Sequence, residues 1–307
     1  MADAWLIAVV AGLGWCLARA SLCAVAATQE VVSSGRLTGL RMQCVVAGSA
    51  GLVLLGLSLR QGQGVLLPGS DAALAQISVA AAVMAVGALL NGGCYLGSIM
   101  YLGRGKTNFL FTLLGIALAA RIDLAAHIGV AAHARLVQAP TAGVLWLAMG
   151  MYLACVVATV RAARATSAPD SASRLAHTVI AGILAGVLMH QMPGWGYNAA
   201  LASLGRGGVA PVDTFSVLLA CVLFVAAVGS CLVAGQWKPE APTLRGSLRC
   251  LAGGFVLETA AHAIPGGSDG LLLWAMPGLG VYGFLAYGVI LVILFPAWMV
   301  AARGLRS

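Results

Sequence analysis

Two cysteines stand where an apolar helix gives way. In the stretch 85–108, AVGALLNGGCYLGSIMYLGRGKTN, an apolar run is interrupted by Asn91, Gly92, Gly93 and Cys94 before a second, short apolar run begins. Near the start of the chain the run from Trp5 to Ala18 breaks at Arg19, Ala20 and Ser21, and Cys23 opens a second short run to Val32. A neutral thiol is a weak, polarizable donor suited to a soft atom. A short helix beginning at such a break offers free amides and partial positive charge in place of a full counter-charge. Glycines at 92, 93, 194, 266 and 267 let backbone come close to a ligand. Weak contact at several points favours passage over trapping, so the chemistry implied is transient binding of a small anion.

Other polar residues inside apolar sequence extend this set. Gln29 either faces a pathway or bonds across helices, and Asn91 either lines the break or caps the helix that follows. Tyr197 and Asn198 occupy the position of Cys23 in the second half, although Tyr197 with Trp195 also fits an interfacial aromatic pair. Glu258 and His262 are four residues apart on one helix face with Gly254. Ionisable groups in a membrane span point to function by default, so this pair reads either as a proton site or as a structural ion pair. Ser268, with Gly266 and Gly267, lies in the break IPGGSDG, where Asp269 is expected near an entrance or bonded to backbone amides.

The elements that must position these residues are membrane helices. Hydrophobic residues make up 61% of the 307 and charged residues 8%, with mean hydropathy +0.98, against roughly 25% charge in a soluble domain. The fold class is therefore an all-α polytopic membrane protein, with room for about nine crossings of about 20 residues. Full spans are expected at 40–59, 72–90, 109–120, 141–160, 212–233 and 280–300, and broken ones around Cys23, Cys94, Pro193 and Gly266. The segment RAARATSAPDSASR, 161–174, reads as a linker near mid-chain. The second half repeats the first: AGLGWCLARASLCAVAA is matched by AGVLMHQMPGWGYNAALA, and a shift of 167 sets Gly87 over Gly254 and Asn91 over Glu258. Residues 1–140 form one membrane repeat, 141–175 a connecting helix and cytoplasmic linker, and 176–307 a second repeat. Two halves with paired interrupted segments point to a transporter built on repeats around a midplane site.

Charge orders the topology. With nine crossings, four short re-entrant helices and halves of opposite orientation, 13 of the 17 Lys and Arg fall on one side, leaving only Arg60, Arg121, Arg135 and Arg206 on the other. The positive-inside rule then sets the C-terminus in the cytoplasm and the N-terminus outside. Single basic residues scattered between apolar runs are topology signals, and nucleic-acid binding is not expected. The chain opens without a positive n-region, so no cleavable signal is expected. The eight cysteines form no CxxC and no Cys/His metal pattern, so no disulfide framework, metal or cofactor is expected, and nothing favours an enzyme.

Three stretches carry a family resemblance. RASLCAVAATQEVVSSGRLTGLR, NGGCYLGSIMYLGRGKTN and IPGGSDGLLLWAMPGLGVYGFLAYG resemble signatures of the YeeE/YedE sulfur transport family, the NGGC and IPGGSDG elements being the specific parts. The resemblance implies an hourglass of helices in a bacterial inner membrane with four short inward-pointing ones. It also implies uptake of a sulfur oxyanion, thiosulfate, passed along cysteine thiols, here Cys23 and Cys94, and a small cytoplasmic sulfur carrier as companion. The family's transporters can have a further cysteine in the second half, where this chain has ETAAHAIPGGSDG without a thiol. That gap leaves another solute open: sulfide, a different oxyanion or a selenium compound.

Overall fold

Apolar runs rich in alanine, leucine and valine become helices, and glycine or a polar residue ends them. The computed structural model describes residues 2–60, 66–123, 133–138, 141–165, 169–206 and 212–304. It is 80% helical, and among the described residues seven helices are long and apolar enough to cross a membrane. The protein is an all-α membrane protein at this level of description.

The first half runs α1 (Ala2–Ala20), α2 (Ala24–Ser34), α3 (Thr38–Arg60), β1 (Leu66–Ser70), α4 (Leu74–Asn91), α5 (Tyr95–Gly103) and α6 (Leu110–Ile122). After β2 (Ala134–Gln138) and α7 (Ala142–Ala165), the second half runs α8 (Pro169–Gln191), α9 (Tyr197–Gly205), α10 (Thr214–Val233), α11 (Leu244–Ala261), α12 (Gly267–Gly270, continuing as a π-helical turn over Leu271–Ala275) and α13 (Val281–Gly304).

Packing partners are reciprocal between the halves. α1 lies on α10 as α8 lies on α3, and α4 lies on α13 as α11 lies on α6. The equivalents α1 and α8 pack on each other, as do α4 and α11, and the short helices α2 and α9 sit on α13 and α6 respectively. Small residues allow the closest of these approaches. A Cβ added at Gly254 would stand 2.3 Å from the Thr112 carbonyl oxygen, and one at Gly115 2.2 Å from that of Leu251. Gly182 and Gly186 similarly meet the backbone of α3, so these two glycines serve contacts within the chain.

Two expectations need correction. The segment 161–174 is mostly helix: α7 continues to Ala165 because RAARA is helix-favouring, and Pro169 opens α8 at the position where its missing N–H costs nothing. Only 166–168 between them lie outside the described residues. The stretches left between the expected spans 40–59 and 72–90, and between 109–120 and 141–160, are not plain loops but supply an antiparallel strand pair, with Leu66 opposite Gln138 and Ser70 opposite Ala134. The residues 61–65 and 124–132 of those same segments lie outside the described residues.

Because α11 is wedged between α4 and α6 through glycines, Gly254→Ala is expected to destabilise the protein by about 1–3 kcal/mol, the usual range for overpacking against backbone. Thermal unfolding in detergent reads this, with Gly150→Ala, which meets nothing within 4 Å, as the control that leaves the melting temperature near wild type.

Candidate functional site

Four short helices begin inside the protein, and their first residues differ by half. Cys23 is the N-cap of α2 and Cys94 that of α5, while Gly196 caps α9 and Gly266 caps α12. None of the four has a side chain bonded to the free amides, whereas Asp213 on α10 and Thr243 on α11 do accept from amides of the first turn. The second-half equivalent of Cys23 is thus Gly196, one residue before the expected Tyr197 and Asn198.

The two thiols meet. Cys23 is fully buried and Cys94 nearly so, with sulfurs 3.8 Å apart. Each thiol stands at the N-cap of its own short helix, so the two sulfurs meet where α2 and α5 begin. Gly97 makes room: a Cβ there would stand 2.6 Å from the Cys23 sulfur. A narrow cavity beside Cys94, lined also by Leu22, Ala24, Ser268, Leu272 and Tyr287, is barely wide enough for one water molecule. Ser268 is buried, and among the described residues nothing bonds its Oγ.

Bracing accounts for most of the remaining residues around Cys94. Asn91 donates from Nδ2 to the Gly93 carbonyl at 2.7 Å and to Ser98 Oγ at 3.2 Å, and its Oδ1 accepts from Thr112 at 2.6 Å. Its amide is fully engaged in holding the break to α5 and α6, and it does not cap the amides that open α5. Gly92 has φ +77° and closes α4 by donating to the Ala88 and Leu89 carbonyls. Gly93 lies under the stacked rings of Tyr101 and Phe109. The α1–α2 break is held from a distance: Arg174 donates to the Ala20 and Ser21 carbonyls, Arg104 to Ser21 Oγ, and Gln43 to the Leu22 carbonyl. Tyr287, in the cavity wall, donates to Gln43 Oε1.

On the far side of Cys94 lies a buried carboxylate. Tyr95, the residue after Cys94, donates to Glu258 Oε2 at 2.7 Å, and Asn198 Nδ2 lies 3.5 Å from the same oxygen. Tyr197 donates to the Tyr95 carbonyl and packs edge-on against Tyr95 and Phe224. Tyr197 and Trp195 are both buried, so they belong to the interior and not to an interfacial pair. His262 contacts Glu258 chiefly through backbone: its Nδ1 is 2.8 Å from the Glu258 carbonyl oxygen but 3.9 Å from Oε1. Its Nε2 lies 3.2 Å from Arg206 Nη1, and a guanidinium only donates, so the ring proton sits on Nδ1. Asp123 Oδ1 stands 3.9 Å from the same nitrogen.

Two further expectations are corrected. Gln29 is exposed, and its neighbour Thr28 turns inward to bond the Ala24 and Val25 carbonyls. One residue along a helix rotates the side chain by about 100°, enough to move it from the inner face to the outer. Of the two places expected for Asp269, the entrance is set aside: the residue is buried at 5% exposure, beside Asn198. Residues the sequence reading did not single out are Tyr95, Gln43, Ser98, Thr112 and the Arg104–Arg174 pair. Gln43 carried a signal, a lone amide in an apolar span, and the arginines were masked by their reading as topology markers.

Among the described residues no group of three His, Cys, Asp or Glu side chains could hold a metal ion. No protein-family model matches the chain, and no curated protein matches it.

The Tyr95–Glu258 contact yields a double-mutant test. Tyr95→Phe leaves a buried carboxylate short of its best donor and is expected to cost about 1.5–3 kcal/mol. Glu258→Gln in that background should recover part of the loss, read by thermal unfolding of the two single variants and the double; additive losses would show that the two groups do not interact.

Proposed function

We propose that the protein is a membrane transporter that takes up a small inorganic sulfur anion, thiosulfate, along Cys94 and Cys23. The observation that carries this reading is a single file of polar groups through an otherwise apolar protein. From Arg206 it runs to His262, Glu258 and Tyr95, then to Cys94 and Cys23, and on to Ser21 with Arg104 and Arg174. Guanidiniums stand at both ends, where an anion must be drawn in and released, and none touches the thiols at the centre. There the ion would meet helix amides and sulfur, a graded attraction that permits release.

Architecture supports the same reading. On this reading α1, α3, α4, α6, α7, α8, α10, α11 and α13 make nine crossings, and α2, α5, α9 and α12 are the four re-entrant helices. Reciprocal packing fits an inverted repeat closing to an hourglass in a bacterial inner membrane. Residues assigned by charge to one side meet one another: Arg104 and Arg174 share Ser21, and Lys106 pairs with Glu240 across from Lys238, whose amide bonds the Arg104 carbonyl. This side is read as cytoplasmic, together with the C-terminus, and the N-terminus as outside. A small cytoplasmic sulfur carrier would dock on this basic face. The resemblance to the YeeE/YedE family names thiosulfate within the anion class.

A second reading keeps the transporter and changes the solute. The glycine N-caps Gly196 and Gly266 leave the thiols confined to one half, which suits sulfide, another oxyanion or a selenium compound that needs a shorter sulfur relay.

Uptake of radiolabelled thiosulfate into proteoliposomes tests the reading. Loss of a soft contact of about 1–2 kcal/mol predicts about tenfold slower uptake for Cys94→Ala, and a smaller deficit for Cys94→Ser, which keeps a donor. Wild-type rates in Cys94→Ala would sink the thiol pathway, and uptake of sulfide in preference to thiosulfate would select the second reading.

A further inference from the structure

The polar groups around Cys94 do not all suit an anion. Asp269 and Asn198 are each 5% exposed, and among the described residues no donor reaches Asp269 Oδ1 or Asn198 Oδ1. Both atoms only accept hydrogen bonds. The amide cannot be turned round to relieve this, because Nδ2 faces Glu258 Oε2 at 3.5 Å and reversal would set oxygen against the carboxylate.

The two side chains look onto one space. A Cβ built on Gly196 would lie 2.5 Å from Asn198 Oδ1 and 3.1 Å from Asp269 Oδ2, and one on Gly267 would lie 3.1 Å from Asn198 Nδ2 and 3.4 Å from Asp269 Oδ1. Two glycines therefore lie against the pair, and a side chain at Gly196 would press on the Asn198 oxygen. Glu258 adds a second buried carboxylate at the edge of this space, and Arg206, the guanidinium on that side, bonds His262 and reaches neither unmet oxygen. Two buried carboxylates and an unmet amide oxygen call for positive charge.

We propose that Asp269 and Asn198 bind a sodium ion, with Glu258 as the neighbouring charge that holds it. The ligands are oxygens of a carboxylate and an amide, which suit a hard monovalent cation and not a thiolate- or imidazole-seeking metal. A proton on Asp269 Oδ1 donated to Asn198 Oδ1 is the competing occupant, and the sodium and acid arms of the test below separate the two. The titratable groups that face the site are Glu258 on α11, Tyr95 and Cys94 on α5, and Tyr197 on α9. For coupling to transport the inference rests on the transporter reading above. Sodium at Asp269 cancels a negative charge beside the thiols, and Glu258 links it to Tyr95, the residue next to Cys94. Anion and cation then each strengthen the other's binding, as linkage requires.

Binding is tested without any substrate. Purified protein in detergent should melt higher in sodium chloride than in choline chloride at equal ionic strength, and Asp269→Asn should abolish the difference. Gly196→Ala, which fills the space, should abolish it as well and serves if Asp269→Asn fails to fold. In proteoliposomes, replacing sodium by choline should weaken thiosulfate uptake about tenfold, within the usual range of coupling between sites. No sodium effect on wild-type melting, or one that survives both variants, overturns the site. Stabilisation by acid alone, in choline, overturns it in favour of a proton. A sodium effect on melting with no thiosulfate uptake leaves the site standing and removes the transport reading; a sodium effect on melting with thiosulfate uptake indifferent to sodium leaves both standing and overturns the coupling between them.

Discussion

A helix broken inside an apolar protein leaves carbonyls behind the break and amides ahead of it, and neither can be left unmet in hydrocarbon. This protein treats the two kinds of group differently. Carbonyls are met by side chains brought from elsewhere: Asn91 for Gly93, Gln43 for Leu22, Arg174 for Ala20 and Ser21. The amides that open α2, α5, α9 and α12 receive no side-chain cap. Where α10 and α11 have no need of a ligand, Asp213 and Thr243 fill that role. The asymmetry keeps the positive ends of the short helices available while the negative ends are held in place.

The repeat supplies the frame and then departs from its own symmetry. Helix pairs exchange partners faithfully between halves, so four inward N-termini follow from one packing solution used twice. Their chemistry then diverges, with sulfur at both first-half N-caps and glycine at both in the second. In place of thiols the second half brings Glu258, Asn198 and Asp269, buried oxygens that face the first half's Tyr95 and Cys94. One wall is soft and weakly donating, and the other is acidic.

Local signals made much of this legible. Glycine and polar residues within apolar runs marked the breaks, and Cys23 and Cys94 stand at N-caps because a helix restarting after such a break needs an extended residue there. What sequence did not convey depends on distance or on a single step of phase. The β1–β2 pair joins Leu66 to Gln138, and Arg104 and Arg174 converge on Ser21 from two other helices. Nothing local announces either. Gln29 and Thr28 differ by one helical step, and so do Gly196 and Tyr197; hydropathy alone cannot fix the phase of a short helix whose every side is partly apolar. For Asp269 an entrance position and bonding to backbone amides are both open in the sequence, and only the packing of α12 against α5 and α11 takes it inside.

On the proposed reading, the contact between Tyr95 and Glu258 makes an acidic wall tolerable next to the anion's path. Tyr95 follows Cys94 in α5, and its hydroxyl reaches across to α11 while its carbonyl accepts from Tyr197 on α9. The carboxylate is therefore met by Tyr95 of the first half and lies 3.5 Å from Asn198 Nδ2 of the second. Were Glu258 to approach the thiols directly, its charge would oppose the helix amides that face them, and the attraction along the file would vanish where the file is narrowest. Held by Tyr95, the same carboxylate instead makes the position of α5 depend on α11. Any shift of α11 in its glycine-lined seat between α4 and α6 must then be felt at Cys94, which makes this wall the natural place for a cation to act on the thiols without touching them.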